Sequence, residues 1–340
     1  GGSILFAHGG SILLTINTQE LIPYGNRGLI GKILLKEVPA TCEPLGRYNK
    51  LIIANGPLAS VGISSSGRIS AGAKSPLTGG IKEANSGGIV GFRLASHGIR
   101  ALIIEEKPKN KDDLYILHIS KDVTELVDAK EYKMMGTHEL AQKLFARYGK
   151  KCGISCIGPT GEMLMSSAGI ANTDMDGNPS RFSGRGELGA VMGSKGLKAI
   201  VIEDDGNYKL EPKNKERYKA ALKEYIHELR NTPQTSVTYP LYGTAGIIPT
   251  ISVMGALPSY AFLKGSFEKA DEISGERLRE LILERGGEGS ATHPCMPGCL
   301  IRCSNIFPDK TGKKVVASLE SLFHNGFTGN CRVEFPEVAK

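Results

Sequence analysis

The sequence predicts an α+β protein, with a sheet-rich N-terminal part followed by the start of a mainly helical domain. In the first part, short apolar runs typical of strands outnumber helical patterns. After Asp205 the character changes, because KNKERYKAALKEYIHELRN (213–231) has the apolar spacing of an amphipathic helix. We therefore predict an N-terminal domain over residues 1–207 and a partial helical domain over residues 208–340, which carries a cysteine cluster.

Composition limits the function classes. The 340 residues are 40% hydrophobic and 23% charged, as in a globular protein with room for two domains. The net charge of +7 favours anionic ligands such as phosphates. The sequence has no stripe of basic residues interleaved with aromatics, which is the pattern that would indicate nucleic-acid binding. No apolar run approaches the roughly 18 residues of a membrane span, and the first residues lack a signal peptide's basic start. We expect a cytoplasmic protein that binds neither membrane nor nucleic acid.

The first elements follow from local patterns. SILLTINTQELI predicts a strand and turn, Gly25–Val38 a glycine-opened helix, and Lys50–Gly56 a short buried strand. Residues 57–88 are rich in Gly and Ser, which is compatible with a linker. The strand-like alternation of RISAGAK within them favours a folded loop system instead.

Further strands and helices follow. FRLASHGI predicts a helix and ALIIEEK a strand, with which LYILHIS is expected to pair. Thr137–Gly149 has a Thr as its expected N-cap and a Gly at its end, as a helix requires. ISCIG and Ala199–Asp205 predict strands, and SGERLRELILERGG (274–287) predicts a second amphipathic helix. No internal repeat is evident.

A glycine-rich loop follows residue 183. It matches G-x-G-x-x-G at Gly184, Gly186 and Gly189, but the preceding NTDMDGNPSRFS is a polar turn-rich segment rather than the strand that a dinucleotide fold requires. Glycine amides beside Arg181 and Arg185 favour an anion-binding loop. A purely structural turn remains an alternative.

A cluster of cysteines indicates a metal site. Cys295, Cys299 and Cys303 are spaced by four residues each, with a Pro-Gly bend between the first two. Thiolates at this spacing can converge on zinc or on an iron–sulfur cluster. Cys331 and His293 are candidates for a fourth ligand. Three unrelated core thiols are the alternative.

Several blocks, in this order, resemble the aldehyde ferredoxin oxidoreductase family of tungsten-pterin enzymes. They are NRGL (Asn26–Leu29), NKLIIANGPL, GRISAGAKSPLTGGIKEANSGG, SCIGPTGEM, GRGELGAVMGSKGLKAI, PLYGTAG, the cysteine run and LESLFHNG. The resemblance implies an N-terminal domain of two β-sheets that forms the base for a tungsten or molybdenum bis-pterin cofactor. It also implies oxidation of an aldehyde or related oxo compound to the acid, with electrons passed through a 4Fe–4S cluster to ferredoxin or another electron-transfer protein.

The resemblance also implies site residues. The cofactor-binding positions carried over, together with the charged and glycine positions of the second loop, are Arg68, Asn85, Ser86, Gly87, Arg181, Phe182, Gly184, Arg185 and Gly186. Phe182 stands where the family often has Ala, at a position whose contact is made by the backbone. A magnesium ion that bridges the two pterin phosphates through backbone carbonyls is implied as well. Glu320 matches a family glutamate near the substrate pocket and is the catalytic candidate.

Two departures from the family pattern matter. Cys299 and Cys303 fit the family's C-x-x-x-C, whereas Cys295 lies one residue further away than usual, and the three together are expected to hold the 4Fe–4S cluster. The family's fourth cysteine, its D-x-x-G-L motifs and its catalytic histidine are expected beyond Lys340. The chain then corresponds to an N-terminal half, as a fragment, a short natural protein or one piece of a split enzyme, with a homodimer also possible. The alternatives are a non-catalytic binding or scaffold protein that keeps the pterin-base fold and an NAD-dependent dehydrogenase that uses the glycine motif.

Overall fold

A computed structural model describes residues 3–8, 11–15, 21, 23–260 and 262–317. The chain divides into two compact units, Gly1–Glu211 and Pro212–Lys340. The strands are β1 Ser3–His8, β2 Ser11–Thr15, β3 Leu51–Asn55, β4 Ile69–Lys74, β5 Ile81–Ser86, β6 Ile99–Glu105, β7 Tyr115–Ile119, β8 Thr124–Asp128, β9 Gly153–Cys156, β10 Ile170–Asn172, β11 Arg181–Ser183, β12 Leu197–Ile202, β13 Ser290–His293, β14 Ser304–Pro308 and β15 Lys314–Ala317. The helices are α1 Asn26–Glu37, α2 Val90–Ser96, α3 Thr137–Tyr148, α4 Pro159–Glu162, α5 Leu188–Ser194, α6 Lys215–Asn231, α7 Tyr239–Tyr242, α8 Ile248–Val253 and α9 Gly275–Arg285.

The first unit contains two six-stranded sheets. The strand order is β2-β1-β6-β3-β4-β5 in the first sheet and β8-β7-β12-β9-β10-β11 in the second. In each sheet one central pair is parallel, β1 with β6 and β7 with β12, and the remaining neighbours are antiparallel. The expected two-sheet α+β architecture is therefore confirmed.

The two sheets are copies of one pattern, which the expectation of no internal repeat missed. Each is built in the order strand, strand, helix, three strands, helix, strand, apart from the four-residue α4 that the second copy has between β9 and β10, and α2 and α5 occupy equivalent places. The segments SHGIRALIIE (Ser96–Glu105) and SKGLKAIVIE (Ser194–Glu203) align without a gap, and both contain a left-handed glycine, Gly98 and Gly196. The similarity is confined to such short stretches, so it becomes evident only once the strand order is known.

Apolar side chains divide the first unit into layers. The central core lies between the two sheets, where Leu94 of α2 and Val191 of α5 pack with residues from both. On the outer face of the first sheet, α1 contributes Ile33 to a second cluster, and on the outer face of the second sheet α3 contributes Leu140 and Leu144. Strands β3, β4 and β12 are buried along their whole length, which explains why their sequences are mostly apolar.

Most local predictions for this unit are met, with two corrections. The helix expected over Gly25–Val38 forms as α1, and residues 57–88 are folded, since they contain β4 and β5. The expected pairing of LYILHIS with the preceding strand is wrong, because β7 pairs with β8 and β12, whereas β6 lies between β1 and β3. Thr137 begins α3 but does not cap it, since the N-cap residue is Gly136.

The second unit contains four helices and a small sheet in its described part. α8 and α9 pack with the β14 residue Phe307 in one apolar cluster. The antiparallel sheet β13-β14-β15 was not predicted, because its strands are short and polar at their ends. None of the helices in the described part of the chain is long and apolar enough to cross a membrane.

Candidate cofactor site and cysteine loop

Two glycine turns occupy equivalent positions in the repeat. The first joins β5 to α2 and contains Gly87 and Gly88, and the second joins β11 to α5 and contains Gly184 and Gly186. The edge strands β5 and β11 lie beside each other, so the two turns come from neighbouring edges of the two sheets. The predicted cofactor residues of both loops are thereby brought into one region of the first unit.

Asn172 connects the two turns at their base. Its side chain is fully buried, and its Nδ2 lies 3.2 Å from Ser86 Oγ and 3.4 Å from Ser183 Oγ, the last residues of the two edge strands. The same amide nitrogen donates to the Arg181 carbonyl oxygen at 2.9 Å. Since a buried polar group is costly unless it is hydrogen-bonded, this amide fixes the spacing of the two strand ends.

The first turn is packed too closely for any side chain at Gly88. A Cβ atom there would lie 2.4 Å from the Thr173 carbonyl oxygen, and the residue has φ +99°, a conformation that favours glycine. The next residue, Ile89, donates its N–H to the same carbonyl at 2.9 Å. The glycine in this position is therefore required by the approach of the two halves of the repeat.

A chain of polar side chains crosses β4 and β5 beside the first turn. Arg68 Nε donates to Asn85 Oδ1, Asn85 Nδ2 donates to Ser70 Oγ at 3.1 Å, and the Ser70 hydroxyl donates to the Glu83 carboxylate. Glu83 also accepts from Arg27 Nε at 3.0 Å. The predicted cofactor residues Arg68 and Asn85 are thus in direct contact and are held by three residues that the sequence did not single out.

The second turn is held by a carboxylate. Gly186 has φ +87°, and a Cβ there would lie 2.7 Å from Lys82 Cβ of β5. The Glu187 carboxylate accepts from the Ser75 hydroxyl and from the Leu77 N–H at 3.3 Å. Glu187 therefore ties the glycine turn to the segment that joins β4 to β5.

Three arginines give this region a positive character. Arg181 is 2% exposed and lies under the first turn, where its Cγ would be 3.5 Å from a Cβ on Gly88. Arg68 is half-buried, and Arg185 is exposed in the second turn. Guanidinium groups next to glycine amides are suited to phosphate or carboxylate groups.

Phe182 points to the other face of the second sheet. Its ring is 54% exposed and lines a cavity of about 540 Å³ together with Thr137, Gly158 and Ser167. Strand alternation explains the difference, because Arg181 and Ser183 face the inter-sheet core and Phe182 faces α3. Any contact of Phe182 with a ligand at the turns must use its backbone.

The strand context of the glycine motif differs from the expected loop. A three-residue strand, β11, directly precedes Gly184. It is an edge strand that pairs antiparallel with β10, and α5 leads to β12, which is not its neighbour. A dinucleotide fold needs a parallel strand–helix–strand unit at this point, so the geometry does not support one.

The cysteines lie in the loop between β13 and β14. His293 and Ser304 pair across the base of this loop, and Gly298 bends it with φ +75°. The family block PLYGTAG packs against it, since a Cβ on Gly243 would lie 2.9 Å from the Cys303 carbonyl oxygen. Cys295 is buried, whereas Cys299 and Cys303 are half-exposed.

Cys299 has strong thiolate character. A hydrogen bond with the Cys295 side chain, together with backbone donors that include the Arg302 N–H at 3.4 Å, lowers the pKa of Cys299 to about 5. By contrast, burial raises the pKa of Cys152 and of Cys156 to about 12. Of the described thiols, Cys299 is thus suited to bind a soft metal, and Cys152 and Cys156 are not.

The cysteine loop does not hold its three thiols in the arrangement of a metal site. Within residues 3–317, as far as the structure describes them, no group of three or more His, Cys, Asp or Glu side chains is arranged to hold a metal ion. Cys295 and Cys299 are in contact through their side chains. Glu320 and the candidate ligand Cys331 lie outside the described residues.

Family comparisons agree with this architecture. Residues 15–204 match the profile described as "Aldehyde ferredoxin oxidoreductase, N-terminal domain", and residues 220–338 match "Aldehyde ferredoxin oxidoreductase, domains 2 & 3". The chain belongs to the aldehyde ferredoxin oxidoreductase family. The resemblance read from the sequence blocks is therefore confirmed.

Several relatives of this family member are tungsten enzymes. The tungsten-containing aldehyde ferredoxin oxidoreductase of Pyrococcus furiosus is 37% identical over 283 residues, and that of Thermococcus kodakarensis is 38% identical over 286 residues. In both cases the match covers 83% of this chain and 44% of the relative. The chain thus spans less than half the length of these relatives and corresponds to their N-terminal part.

A solved structure has the same fold. The active-site complex BamBC of benzoyl coenzyme A reductase, in complex with 1,5-dienoyl-CoA, superimposes with a TM-score of 0.78. The match covers 98% of this chain and 50% of that one, at 20% sequence identity. At this identity the likeness supports the architecture alone.

Sequence reasoning missed the residues that support the site. Glu83 and Glu187 lie within the recognised blocks and Asn172 lies between two of them, but none is a glycine or an arginine, the residue types that suggest anion binding. For some supporting residues a usable signal was a polar side chain at a position where a strand should face a core. Asn172 in the short strand β10 and Ser70 in the buried strand β4 are both examples.

Proposed function

We propose that the chain is the N-terminal portion of a tungsten or molybdenum bis-pterin oxidoreductase. The observation that carries the proposal is the pair of glycine turns, which lie at equivalent positions of a repeat and side by side. A cofactor with two similar pterin halves, each with a phosphate, needs two similar anion-binding turns. The tungsten-containing relatives support the same cofactor class.

The residues at the two turns fit such a group. Gly88 and Gly186 have φ values of +99° and +87°, conformations that favour glycine, and turns of this kind can direct backbone amides toward a phosphate. Arg68, Arg181 and Arg185 supply the charge. Asn85, Ser86 and Gly87 would contact one pterin, and Phe182, Gly184 and Gly186 would contact the other. A magnesium ion between the phosphates would be bound by backbone carbonyls.

The cysteine loop is the proposed site of a 4Fe–4S cluster, with Cys295, Cys299 and Cys303 as its ligands. The low pKa of Cys299 supports thiolate ligation at neutral pH. A fourth ligand would come from outside the described residues or from another part of the complete enzyme. Ferredoxin or another electron-transfer protein is the proposed electron acceptor.

The complete enzyme would oxidise an aldehyde or a related oxo compound to the acid. When bound, the metal with its dithiolenes supplies the two-electron chemistry, whereas the protein positions the phosphates and excludes competing reactions. Glu320 is proposed to position the substrate or water, or to move a proton.

Elemental analysis of the chain, purified without oxygen from cells supplied with tungstate and molybdate, tests the proposal. We expect tungsten or molybdenum together with pterin, and iron with acid-labile sulfide. Zinc as the sole metal would refute the cluster, and the absence of pterin, tungsten and molybdenum would refute the cofactor.

A pair of thiol variants tests the ligand assignment. Cys299→Ser is expected to abolish the iron–sulfur absorbance, because it removes a candidate ligand whose pKa is lowered to about 5. Cys152→Ser is the matched control, since that thiol is buried and has a raised pKa. Retention of the absorbance in both variants would contradict the assignment.

A further inference from the structure

The polar chain beside the first glycine turn has a direction. Each hydrogen bond from Arg68 through Asn85 and Ser70 points toward Glu83, where the chain ends. An ionised carboxylate can only accept hydrogen bonds, so the Ser70 hydroxyl must donate to it and present a lone pair to Asn85 Nδ2. This orients the amide with its Oδ1 toward the guanidinium of Arg68.

Glu83 is held in place from its other side. Arg27 donates to it at 3.0 Å, and the side chains of Arg27 and Glu83 are 75% and 16% exposed. Because Arg27 is so exposed, this ion pair adds little to stability. Its position matters more, since it keeps the carboxylate over β4 and compensates a negative charge next to an anion-binding turn.

The second half of the repeat provides an internal comparison. At the positions equivalent to the first three members of the chain it has Gly169, Ala171 and Phe182. None of these can make the same hydrogen bonds, yet β10 and β11 pair in the same register as β4 and β5. The fold therefore forms without the polar chain, which indicates that the chain serves the turn rather than the sheet.

We propose that Glu83 is a positioning residue for cofactor binding. It acts through Ser70 and Asn85 to hold the Arg68 guanidinium against Asn85, two residues before Gly87 of the first glycine turn. The inference rests on the proposed function, because the ligand that Arg68 and Asn85 would contact is the pterin cofactor. Glu83 itself need not touch that ligand.

The test compares Glu83→Gln with a matched control, Glu106→Gln. Both carboxylates pair with an exposed arginine at 3.0 Å, but Glu106 pairs with Arg47 and belongs to none of the hydrogen bonds at the turn. The measurement is the tungsten or molybdenum and the pterin that the full chain retains during serial dilution. A hydrogen bond to a charged group contributes enough that Glu83→Gln should weaken retention about tenfold or more. Glu106→Gln should retain the cofactor as the wild type does.

A double-mutant cycle with Ser70→Ala separates positioning from general destabilisation. If Glu83 acts through Ser70, the double variant retains no less cofactor than Ser70→Ala alone. Thermal unfolding of the cofactor-free variants Glu83→Gln and Glu106→Gln should be similar, since each loses one exposed-arginine pair and the Gln side-chain oxygen can still accept the hydrogen bond from Ser70. A purely structural role for Glu83 would instead lower the unfolding temperature of its variant specifically.

Two outcomes overturn the inference alone. One is cofactor retention by Glu83→Gln equal to that of Glu106→Gln, and the other is additive loss in the double variant. If the wild-type chain holds pterin, tungsten or molybdenum, the proposed function survives both. A wild-type chain without any of these overturns the proposed function and, with it, the role of Glu83.

Discussion

Two equivalent helices are seated so closely on the sheets that a single methyl group should displace them. Gly189 is the second residue of α5, and a Cβ there would lie 2.4 Å from the Gly169 carbonyl oxygen. Gly91 is the second residue of α2, and a Cβ there would lie 2.2 Å from the Gly67 carbonyl oxygen. Gly31 in α1 is the control, because a Cβ at that position meets nothing within 4 Å.

The expected magnitudes follow from two opposing effects. All three glycines have ordinary helical φ, so replacement by Ala gains about 1 kcal/mol of helix propensity at each. At Gly189 and Gly91 the obstacle is a backbone carbonyl, which cannot rotate away, and overpacking of this kind costs about 3 kcal/mol. Gly189→Ala and Gly91→Ala should therefore destabilise the chain by about 2 kcal/mol each, and Gly31→Ala should stabilise it by up to about 1 kcal/mol.

Urea unfolding of the purified chain, followed by far-UV circular dichroism, measures the three variants against the wild type. Because α2 and α5 begin at the two glycine turns, the two destabilised variants should also retain less tungsten or molybdenum and pterin. The reasoning is refuted if Gly189→Ala or Gly91→Ala unfolds at the urea concentration of the wild type, or if Gly31→Ala behaves like either of them.

Three further predictions concern buried charged groups and thiols. Lys198 and Glu162 form a buried ion pair, so Lys198→Met should destabilise the chain by about 3 kcal/mol in urea unfolding, because it leaves the Glu162 carboxylate buried without its partner. Adding Glu162→Leu should recover most of that loss. A double variant no more stable than Lys198→Met would contradict this prediction. Burial lowers the pKa of Lys195 from its ordinary value of 10.5 to about 8, so between these two pH values the unfolded chain binds more protons than the folded chain. The free energy of unfolding should therefore rise with pH over this range by up to about 3 kcal/mol relative to Lys195→Met. Equal pH slopes for the wild type and Lys195→Met would refute this prediction. Iodoacetamide at pH 7 should label Cys299 in the metal-free chain and leave Cys152 unlabelled, because the pKa of Cys299 is lowered and that of Cys152 is raised. Peptide mass spectrometry measures the labelling, and labelling of Cys152 before Cys299 would contradict the prediction.

The sequence predicted the elements better than their partners. Helix α1 and the strand Leu51–Asn55 follow from periodicity, because their apolar spacing is local information. The partner of β7 does not, since the chain crosses from the first sheet to the second immediately before this strand. Short polar strands such as Ser290–His293 were not predicted for a different reason, because their pairing rather than their composition makes them strands.

Sequence reasoning likewise found only part of the candidate site. The glycine turns and their arginines carry a recognisable chemistry, and the structure brings Ser86 and Ser183 together on one amide. That amide, Asn172, could not be found from its neighbours in sequence, because its role depends on two strands that lie before and after it. Likewise, Glu83 becomes informative only when the register places it opposite Gly72, next to Ser70.

The repeat limits which atoms of the two turns could contact one ligand in the same way. Asn85 and Phe182 occupy equivalent positions, one residue before the ends of β5 and β11, yet an amide and a phenyl ring have no hydrogen-bonding group in common. Any role that both positions play toward one symmetric ligand must therefore use the backbone, whose groups are the same in both. The phenyl ring faces the α3 side, away from the inter-sheet core. Contacts that both positions made with the proposed cofactor would therefore be backbone contacts, whereas the polar side chains from Arg68 to Glu83 are present only in the first half of the repeat.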